Sequence, residues 1–436
     1  MDQSFSPQRR KIGPYDLDVA DIKTTDVATE PTQKAKDELF KAGLSLPNQD
    51  IIRENRLKRV LLQLEQRDLA GILLFDPVNI RYALDARNMS IWTSRNFARA
   101  AFISRSGYIV LWDFDRCEHL TPHLPLINEL RTNAGGYYFA HGDTELDNAE
   151  RFAEQIAELV KSHGGGTLAV DKLDIGVSHA LEKMSIKLTT GQVVMEHARL
   201  IKGPEEIKAM KCAAHACLAS VQEMEDALKA GISEVELWSV LHAGNIARGG
   251  EWIETRLMAS GPRTNPWMAE AGPRILEDGD LLAFDTDMIG LYGYICDMSR
   301  TWLVGDKASA EQIELYKTGL EHIEENAKLL TPGTSFRELT YGGHQLDQKY
   351  RAQQYCVKMH GVGLCDEFPS IYYPEQFIEG AFDYALEPGM VLSVEVYLGV
   401  VGGKDGVKLE NEVLVTEGDP VTLTPYRYDE KLLADA

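Results

Sequence analysis

The sequence predicts two domains of different class, an α/β domain over residues 51–197 and an α+β domain over residues 198–436, behind an N-terminal arm of residues 1–50. Three observations carry this expectation. In the first stretch, short apolar runs alternate with segments of helical period, the order that builds an α/β sheet. In the second, helical segments come first and long β-branched runs follow, the order of an α+β domain. The length of 436 residues also exceeds what one hydrophobic core usually organises.

Taken in order, residues 1–50 are polar, proline-bearing and weakly periodic. They read as an extended arm that wraps a partner subunit or stays disordered. Leu57, Val60, Leu61 and Leu64 then recur at helical spacing, and Gly71–Phe75 is a short buried strand stopped by Asp76-Pro77. Ala101–Ser104 and Tyr108–Trp112 flank Arg105-Ser-Gly107 as a hairpin. Phe152, Ile156, Leu159 and Val160 mark a helix, Gly164-Gly-Gly166 ends it, and Thr167–Val170 is the next strand. Arg199–Gly203 forms the domain boundary. Pro204 follows where a first-turn proline is tolerated, and Glu205 and Glu206 suit a helix N-terminus. Ile207, Met210, Ala214, Cys217, Val221, Met224 and Leu228 keep one apolar stripe until Gly231, and Ser233 with Glu236 offers a capping box for a second helix. Leu281–Trp302 reads as a hairpin, and Met390–Tyr397 and Gly406–Val415 as strands.

Composition excludes several functions. The 44% hydrophobic and 26% charged content is that of an ordinary globular protein. A net charge of −22 argues against nucleic-acid or anionic-membrane partners, which require a basic face. No apolar run approaches the roughly 20 residues that span a bilayer, and Met1–Arg10 has no apolar core of the signal-peptide kind. The six cysteines form no CxxC pair, so they are expected as reduced thiols in the cytoplasm. There the Asn88-Met-Ser90 sequon carries no weight.

Chemistry concentrates in the second domain. The Leu281–Trp302 hairpin holds Asp285, Asp287 and Asp297 among apolar residues. In a strand Asp285 and Asp287 share a face, and three converging carboxylates repel unless a cation lies between them. A solvated acidic turn is the alternative. His360-Gly-Val-Gly363 is weak as a nucleotide loop, because no basic residue or helix start follows it. It suits a metal ligand held by a tight backbone. Glu395 lies inside an apolar strand, where a carboxylate must be paired or ligate a cation. Glu410 lies in a similar strand, with Glu412 on the same face. Five carboxylates and one imidazole exceed the needs of one ion and suit two ions bridged by carboxylates. The oxygen-rich set favours iron, manganese, cobalt or zinc over copper.

The order Asp…Asp…His-Gly-x-Gly…Glu…Glu resembles the metal site of the pita-bread superfamily, which includes methionine aminopeptidase, prolidase and creatinase. Leu386–Glu395 and Gly406–Glu410 are similar to its strand motifs, and the resemblance covers about residues 200–420. Asp76–Tyr82 resembles part of the smaller creatinase-type N-terminal domain. The resemblance implies a pita-bread catalytic domain with Asp285, Asp287, Asp297, His360, Glu395 and Glu410 as ligands of two metal ions.

Departures from the peptidases point elsewhere. Those members carry a histidine in a Pro-His step, where this chain has Pro266-Trp267. They carry another in a His-Glu-x-Pro step, where this chain has Asp366-Glu-Phe-Pro369. Lys408 stands where many relatives have arginine, and Asp285-Thr-Asp287 doubles the usual single leading aspartate. With His360–Asp366, this pattern resembles the P-type dimethylsulfoniopropionate lyases. That implies a homodimeric, iron-bearing enzyme acting on a small sulfonium carboxylate by β-elimination. It implies Asp366 as the base and Trp92, Trp267 and Tyr355 as aromatic groups around the sulfonium. Trp92 would reach a partner's site in a dimer. The alternatives are a proline-type aminopeptidase or creatinase-like C–N hydrolase, and a non-enzymatic binding module of the same fold.

Overall fold

An eight-stranded mixed sheet forms the centre of the N-terminal unit. In the computed structural model, which describes residues 9–22, 30–381 and 383–434, this unit comprises Asn48–Arg199 and the strands before residue 23. The strands are β1 (Arg9–Ile12), β2 (Tyr15–Asp18), β3 (Gly71–Leu74), β4 (Ala100–Ser104), β5 (Ile109–Trp112), β6 (Glu129–Arg131), β7 (Leu168–Val170) and β8 (Leu188–Thr190). They lie in the order β2-β1-β6-β5-β4-β3-β7-β8. β3, β4, β5 and β7 are buried along their whole length, which is why they read as unbroken apolar runs. The helix Glu145–Ser162 packs Phe152, Ile156, Leu159 and Val160 into the same core as Phe102 and Trp112. Asp76-Pro77 both ends a strand and starts the helix Pro77–Leu84, because the Asp76 carboxylate accepts from the Val78 N–H at 2.8 Å.

The described residues before position 51, 9–22 and 30–50, divide between the two units. β1 and β2 pair with each other and β1 with β6, and the buried Arg10 guanidinium donates to the Thr121 carbonyl at 3.0 Å. The helix Gln33–Lys41 belongs to the second unit. There Ala35 and Leu39 pack on Cys212, Ala216 and Leu291, and Arg248 grips Glu38 at 2.7 and 3.1 Å. Residues 1–8 and 23–29 lie outside the described residues.

The C-terminal unit is α+β, as the element order predicts. The helix Pro204–Ala227 opens with Pro204 in its first turn and the Gly203 N–H bonded to Glu206 at 3.0 Å. The helix Glu234–Arg248 has the expected capping box of Ser233 and Glu236. Both pack apolar faces against Phe284 and Trp302. The strands that follow are β9 (Trp252–Ile253), β10 (Met258–Ser260), β11 (Leu281–Asp285), β12 (Met288–Ile289), β13 (Ile295–Cys296) and β14 (Ser299–Leu303). Next come β15 (Val357–Val362), β16 (Asp366–Tyr372), β17 (Val391–Gly399), β18 (Gly406–Leu414) and β19 (Val421–Thr422). They form antiparallel sheets in the orders β10-β11-β14, β13-β12-β9 and β16-β15-β17-β18-β19.

The Leu281–Trp302 hairpin is split between two sheets. β11 pairs with β14, placing Asp285 opposite Ser299, whereas β12 pairs with β13 and β9. The break lies at Thr286, whose hydroxyl donates to the Cys296 carbonyl at 2.7 Å and accepts from the Met298 N–H at 3.0 Å. Asp287 follows with a φ of 34°, in the left-handed region. Strand alternation therefore stops, and Asp285 and Asp287 do not share a strand face. Hydrogen bonds then join the returning limb of the hairpin, residues 297–301, to β18. The Asp297 N–H donates to Glu412 at 2.9 Å, Ser299 to Glu410 at 2.8 Å, and Thr301 to the Lys408 carbonyl at 2.9 Å. These rungs bring the hairpin carboxylates against β18.

Candidate metal centre

Three strands of the five-stranded sheet supply one wall. Glu395 on β17 stands opposite Glu410 on β18, and His360 on β15 stands opposite Ser393, two residues before Glu395. Alternation puts His360, Glu395, Glu410 and Lys408 on one face. Asp285 and Asp297 come from the hairpin. His360 Nε2 lies 3.3 Å from Asp297, 3.4 Å from Glu410 and 3.7 Å from Glu395. The Lys408 ammonium lies 2.6 Å from Glu410, 2.8 Å from Glu395 and 3.2 Å from Asp285.

The donor atoms fall into overlapping groups, each within 4.8 Å: Asp285, Asp297 and Glu410; His360, Glu395 and Glu410; Asp297, His360 and Asp366. Glu410 belongs to the first two, as a carboxylate shared between two ions would. Asp285 Oδ1, Asp297 Oδ1 and Glu410 Oε1 are buried without a hydrogen-bond partner. Buried carboxylate oxygens left without donors are expensive unless a cation is meant to meet them. The set fits metal ions.

Its electrostatics agree. Burial raises the Asp297 carboxyl well above its ordinary range, and Glu410, Asp285 and Asp287 add repulsion. Burial pushes Glu395 up to about 7 against the pull of Lys408. Burial opposes the charge on Lys408, but Asp285, Glu395 and Glu410 hold its ammonium well above the usual lysine range. His360 is likewise held protonated, against burial, by Asp366, Asp297 and Glu410. Glu410 stays low despite its burial because Lys408 and His360 flank it.

The other expected residues are placed less uniformly. Asp287 is buried and accepts the Thr255 hydroxyl, but it joins none of the close donor groups among the described residues. The Asp366 side chain is 49% exposed, with one oxygen 3.7 Å from His360 Nδ1. Desolvation still raises its carboxyl, reinforced by Glu410 and Asp285 and opposed by His360 and Lys408. Trp267 packs with Ala283, Tyr397 and Tyr355. The Tyr355 hydroxyl is pushed up by burial and by Glu395. Trp92 belongs to the N-terminal unit, its ring 5.8 Å from those of Phe114 and Phe139.

Two further residues belong to the centre. Lys408 is the cation among three carboxylates. Glu412 is fully buried, takes the Asp297 N–H, leaves Oε2 without a partner and is pushed up to about 8 by burial. The signal for both was present, since residues 408, 410 and 412 share one face of a strand.

Fold and cluster together define a metal-binding protein of the metallopeptidase type, and residues 208–417 match Metallopeptidase family M24. A prolidase from Thermococcus sibiricus superposes with a TM-score of 0.70 over 86% of this chain and 98% of its own, at 21% identity, a likeness of fold. The sequence is 44% identical over 445 residues to dimethylsulfoniopropionate lyase DddP of Roseovarius nubinhibens, spanning 99% of this chain and all of that protein. It is 43% identical over 411 residues to the protein of that name from Roseobacter denitrificans, spanning 92% of each. The chain belongs to the family of these dimethylsulfoniopropionate lyases, as the motif pattern predicts.

Proposed function

We propose that this chain is a metal-dependent lyase that cleaves dimethylsulfoniopropionate to dimethylsulfide and acrylate. Its identity to two lyases of that name along essentially the whole sequence carries the reading. The site chemistry supports it. In β-elimination a base takes the proton α to the carboxylate, the new carbon–carbon double bond forms, and the C–S bond breaks with its electron pair leaving on sulfur. The sulfonium thus departs as a neutral thioether.

Asp366 is the base in this reading. It is half exposed, reachable by substrate, and its raised carboxyl is a stronger base than an ordinary aspartate. It accepts the α proton on a carboxylate oxygen, beside the His360 imidazole. Asp285, Asp297, His360, Glu395 and Glu410, with Asp287 as the sixth ligand, would hold two metal ions, which would supply Lewis-acid stabilisation of the charge on the substrate carboxylate. Lys408 and the protonated His360 neutralise that carboxylate set before metal enters. Iron is our assignment, with manganese, cobalt and zinc as alternatives. Tyr355, Trp92 and Trp267 are the aromatic groups we assign to the substrate, each ring face attracting a sulfonium by ~0.5–2 kcal/mol.

A homodimer is part of the proposal, with Trp92 serving the partner's site. So is a cytoplasmic setting, supported by six cysteines that are all free thiols. Among the described residues no helix is long and apolar enough to cross a membrane. The fold relatives favour a second reading, an X-Pro peptidase. Trp267 and Asp366, standing where peptidases of this fold have histidines, oppose it. One preparation of iron-loaded protein decides: headspace dimethylsulfide is measured after adding dimethylsulfoniopropionate, with metal content determined on the same sample. No dimethylsulfide defeats the lyase, and release of proline from an X-Pro dipeptide would establish the peptidase.

A further inference from the structure

The Trp267 indole has a polar edge that a sulfonium cage does not use. The side chain is only 9% exposed, and its Nε1 has no hydrogen-bond partner. An indole N–H can only donate, and a buried one ordinarily finds an acceptor. The ring is not open on both sides either. Tyr397 stacks on it at 6.0 Å with an interplanar angle of 23°. The Tyr397 hydroxyl is occupied, its one proton facing Asn265 Oδ1 at 2.8 Å and the Thr264 carbonyl at 3.1 Å. Asn265 in turn donates to the carbonyls of Val400 at 2.9 Å and Gly403 at 3.0 Å. Its carbonyl also accepts from Gln353 at 2.5 Å. This network fixes the Tyr397 ring against which the indole stacks.

Position indicates what the free donor meets. Ala283 and Tyr397, which pack against Trp267, stand two residues from Asp285 on β11 and from Glu395 on β17. They therefore share strand faces with those carboxylates. Tyr355, beside the same indole, is close enough to Glu395, Lys408 and His360 for its hydroxyl to respond to their charges. The indole that carries the unpartnered N–H thus packs against residues on the strand faces of the candidate metal centre.

We infer that the Trp267 N–H hydrogen-bonds the carboxylate of the substrate and selects for that group. The inference rests on the lyase reading above. Dimethylsulfoniopropionate offers one acceptor group, its carboxylate. The sulfonium cannot take the N–H, because the edge of an aromatic ring is the positive part of its quadrupole and repels a cation. Acrylate keeps the carboxylate and loses the cation, so the contact persists in the product complex. The sulfonium is left to ring faces, which the donor edge of Trp267 does not occupy.

Trp267→Phe keeps an aromatic face and removes the N–H. Acrylate and trimethylsulfonium are tested separately as inhibitors of dimethylsulfoniopropionate cleavage. The variant is expected to lose about tenfold in acrylate affinity, the scale of one hydrogen bond to a charged group, with trimethylsulfonium inhibition unchanged. A loss confined to trimethylsulfonium, or an equal loss for both, overturns the donor. A variant that does not fold leaves a second measurement, on zinc-loaded wild-type protein carrying 15N in its indoles. One indole N–H resonance should move downfield with acrylate and stay in place with trimethylsulfonium; no response to acrylate overturns the inference. Wild-type protein that releases no dimethylsulfide but shows the acrylate shift would defeat the reaction and leave the donor standing. Dimethylsulfide release without the shift would do the reverse.

Discussion

Glu234 and Glu410 are both fully buried carboxylates of the C-terminal unit, and their surroundings differ in one respect. Glu234 has every oxygen answered. Oε1 accepts the Ser260 N–H at 2.8 Å and hydroxyl at 2.7 Å, and Oε2 accepts the Gly272 N–H at 2.8 Å and Arg263. Glu410 is hydrogen-bonded on one side only: Oε2 takes Lys408 and Ser299, while Oε1 has no hydrogen-bond partner and faces His360 Nε2 at 3.4 Å. Asp285 and Asp297 repeat that pattern. A buried charge costs several kcal/mol unless hydrogen bonds or counter-charges offset it. Complete satisfaction therefore marks a scaffold, and a set of neighbouring unanswered oxygens marks a place for a cation.

The comparison breaks most visibly through metal content. Replacing a partner of a metal ligand commonly costs 10–100-fold in metal affinity, so replacing a ligand should cost more than about 100-fold. His360→Ala and Glu395→Ala are expected to lose metal by elemental analysis, while Glu234→Gln keeps the wild-type stoichiometry. Metal retained in both ligand variants would remove them from the site. Asp366→Asn separates holding metal from using it. It should lower dimethylsulfide release by about 10²–10⁴-fold, the usual contribution of a general base, with metal content unchanged. Full activity in that variant would end its role as base.

Stability should then show opposite signs for similar substitutions. Glu234→Ala strands the N–H groups of Ser260 and Gly272 and the Ser260 hydroxyl, and should cost roughly 3 kcal/mol. Asp297→Asn in metal-free protein replaces a carboxyl whose charge burial and its acidic neighbours already disfavour, so its denaturation midpoint should stay level or rise. Equal losses in the two variants would erase the distinction between scaffold and site.

Much of this was legible in the sequence, for reasons that can be named. Glu395 and Glu410 stood out because a carboxylate in an apolar strand needs a partner, and the structure pairs them across β17 and β18. The helix start at Pro204 and the capping box at Ser233 and Glu236 were local signals and were read correctly. The split of the hairpin was not legible. It depends on the Thr286 hydroxyl bridging Cys296 and Met298 across the hairpin, a side-chain contact that strand alternation does not encode. Strand alternation alone therefore places Asp287 on the face of Asp285, whereas its backbone leaves the strand. The edge pairing of β1 with β6 joins residues more than 100 positions apart, and a polar segment gives no sign of so distant a partner. Lys408 departs from the arginine of many relatives, yet its place among three carboxylates depends on the fold.

The smallest expected effect, a pH slope, tests the same contrast from the proton side. Glu395 and Glu412 in the folded, metal-free protein are pushed up to about 7 and about 8 from 4.5. A carboxyl raised on folding contributes stability that is complete below its unfolded value and is lost as pH rises through its folded value. His360, held protonated well above 6.5, acts with the same sign. The buried His322 is lowered to about 3 by desolvation. Its contribution is present above 6.5 and is lost as pH falls toward 3, so it is silent between pH 6.5 and 8. In that window metal-free protein should lose stability as pH rises, and Glu412→Gln should flatten the slope. Metal binding requires ligand protons to leave, so metal affinity should rise over the same interval. Denaturation midpoints with and without metal at pH 6.5 and 8 measure both. A metal-free midpoint that climbs with pH would mean that these carboxyls are not holding protons, and that the cluster is satisfied in the manner of Glu234.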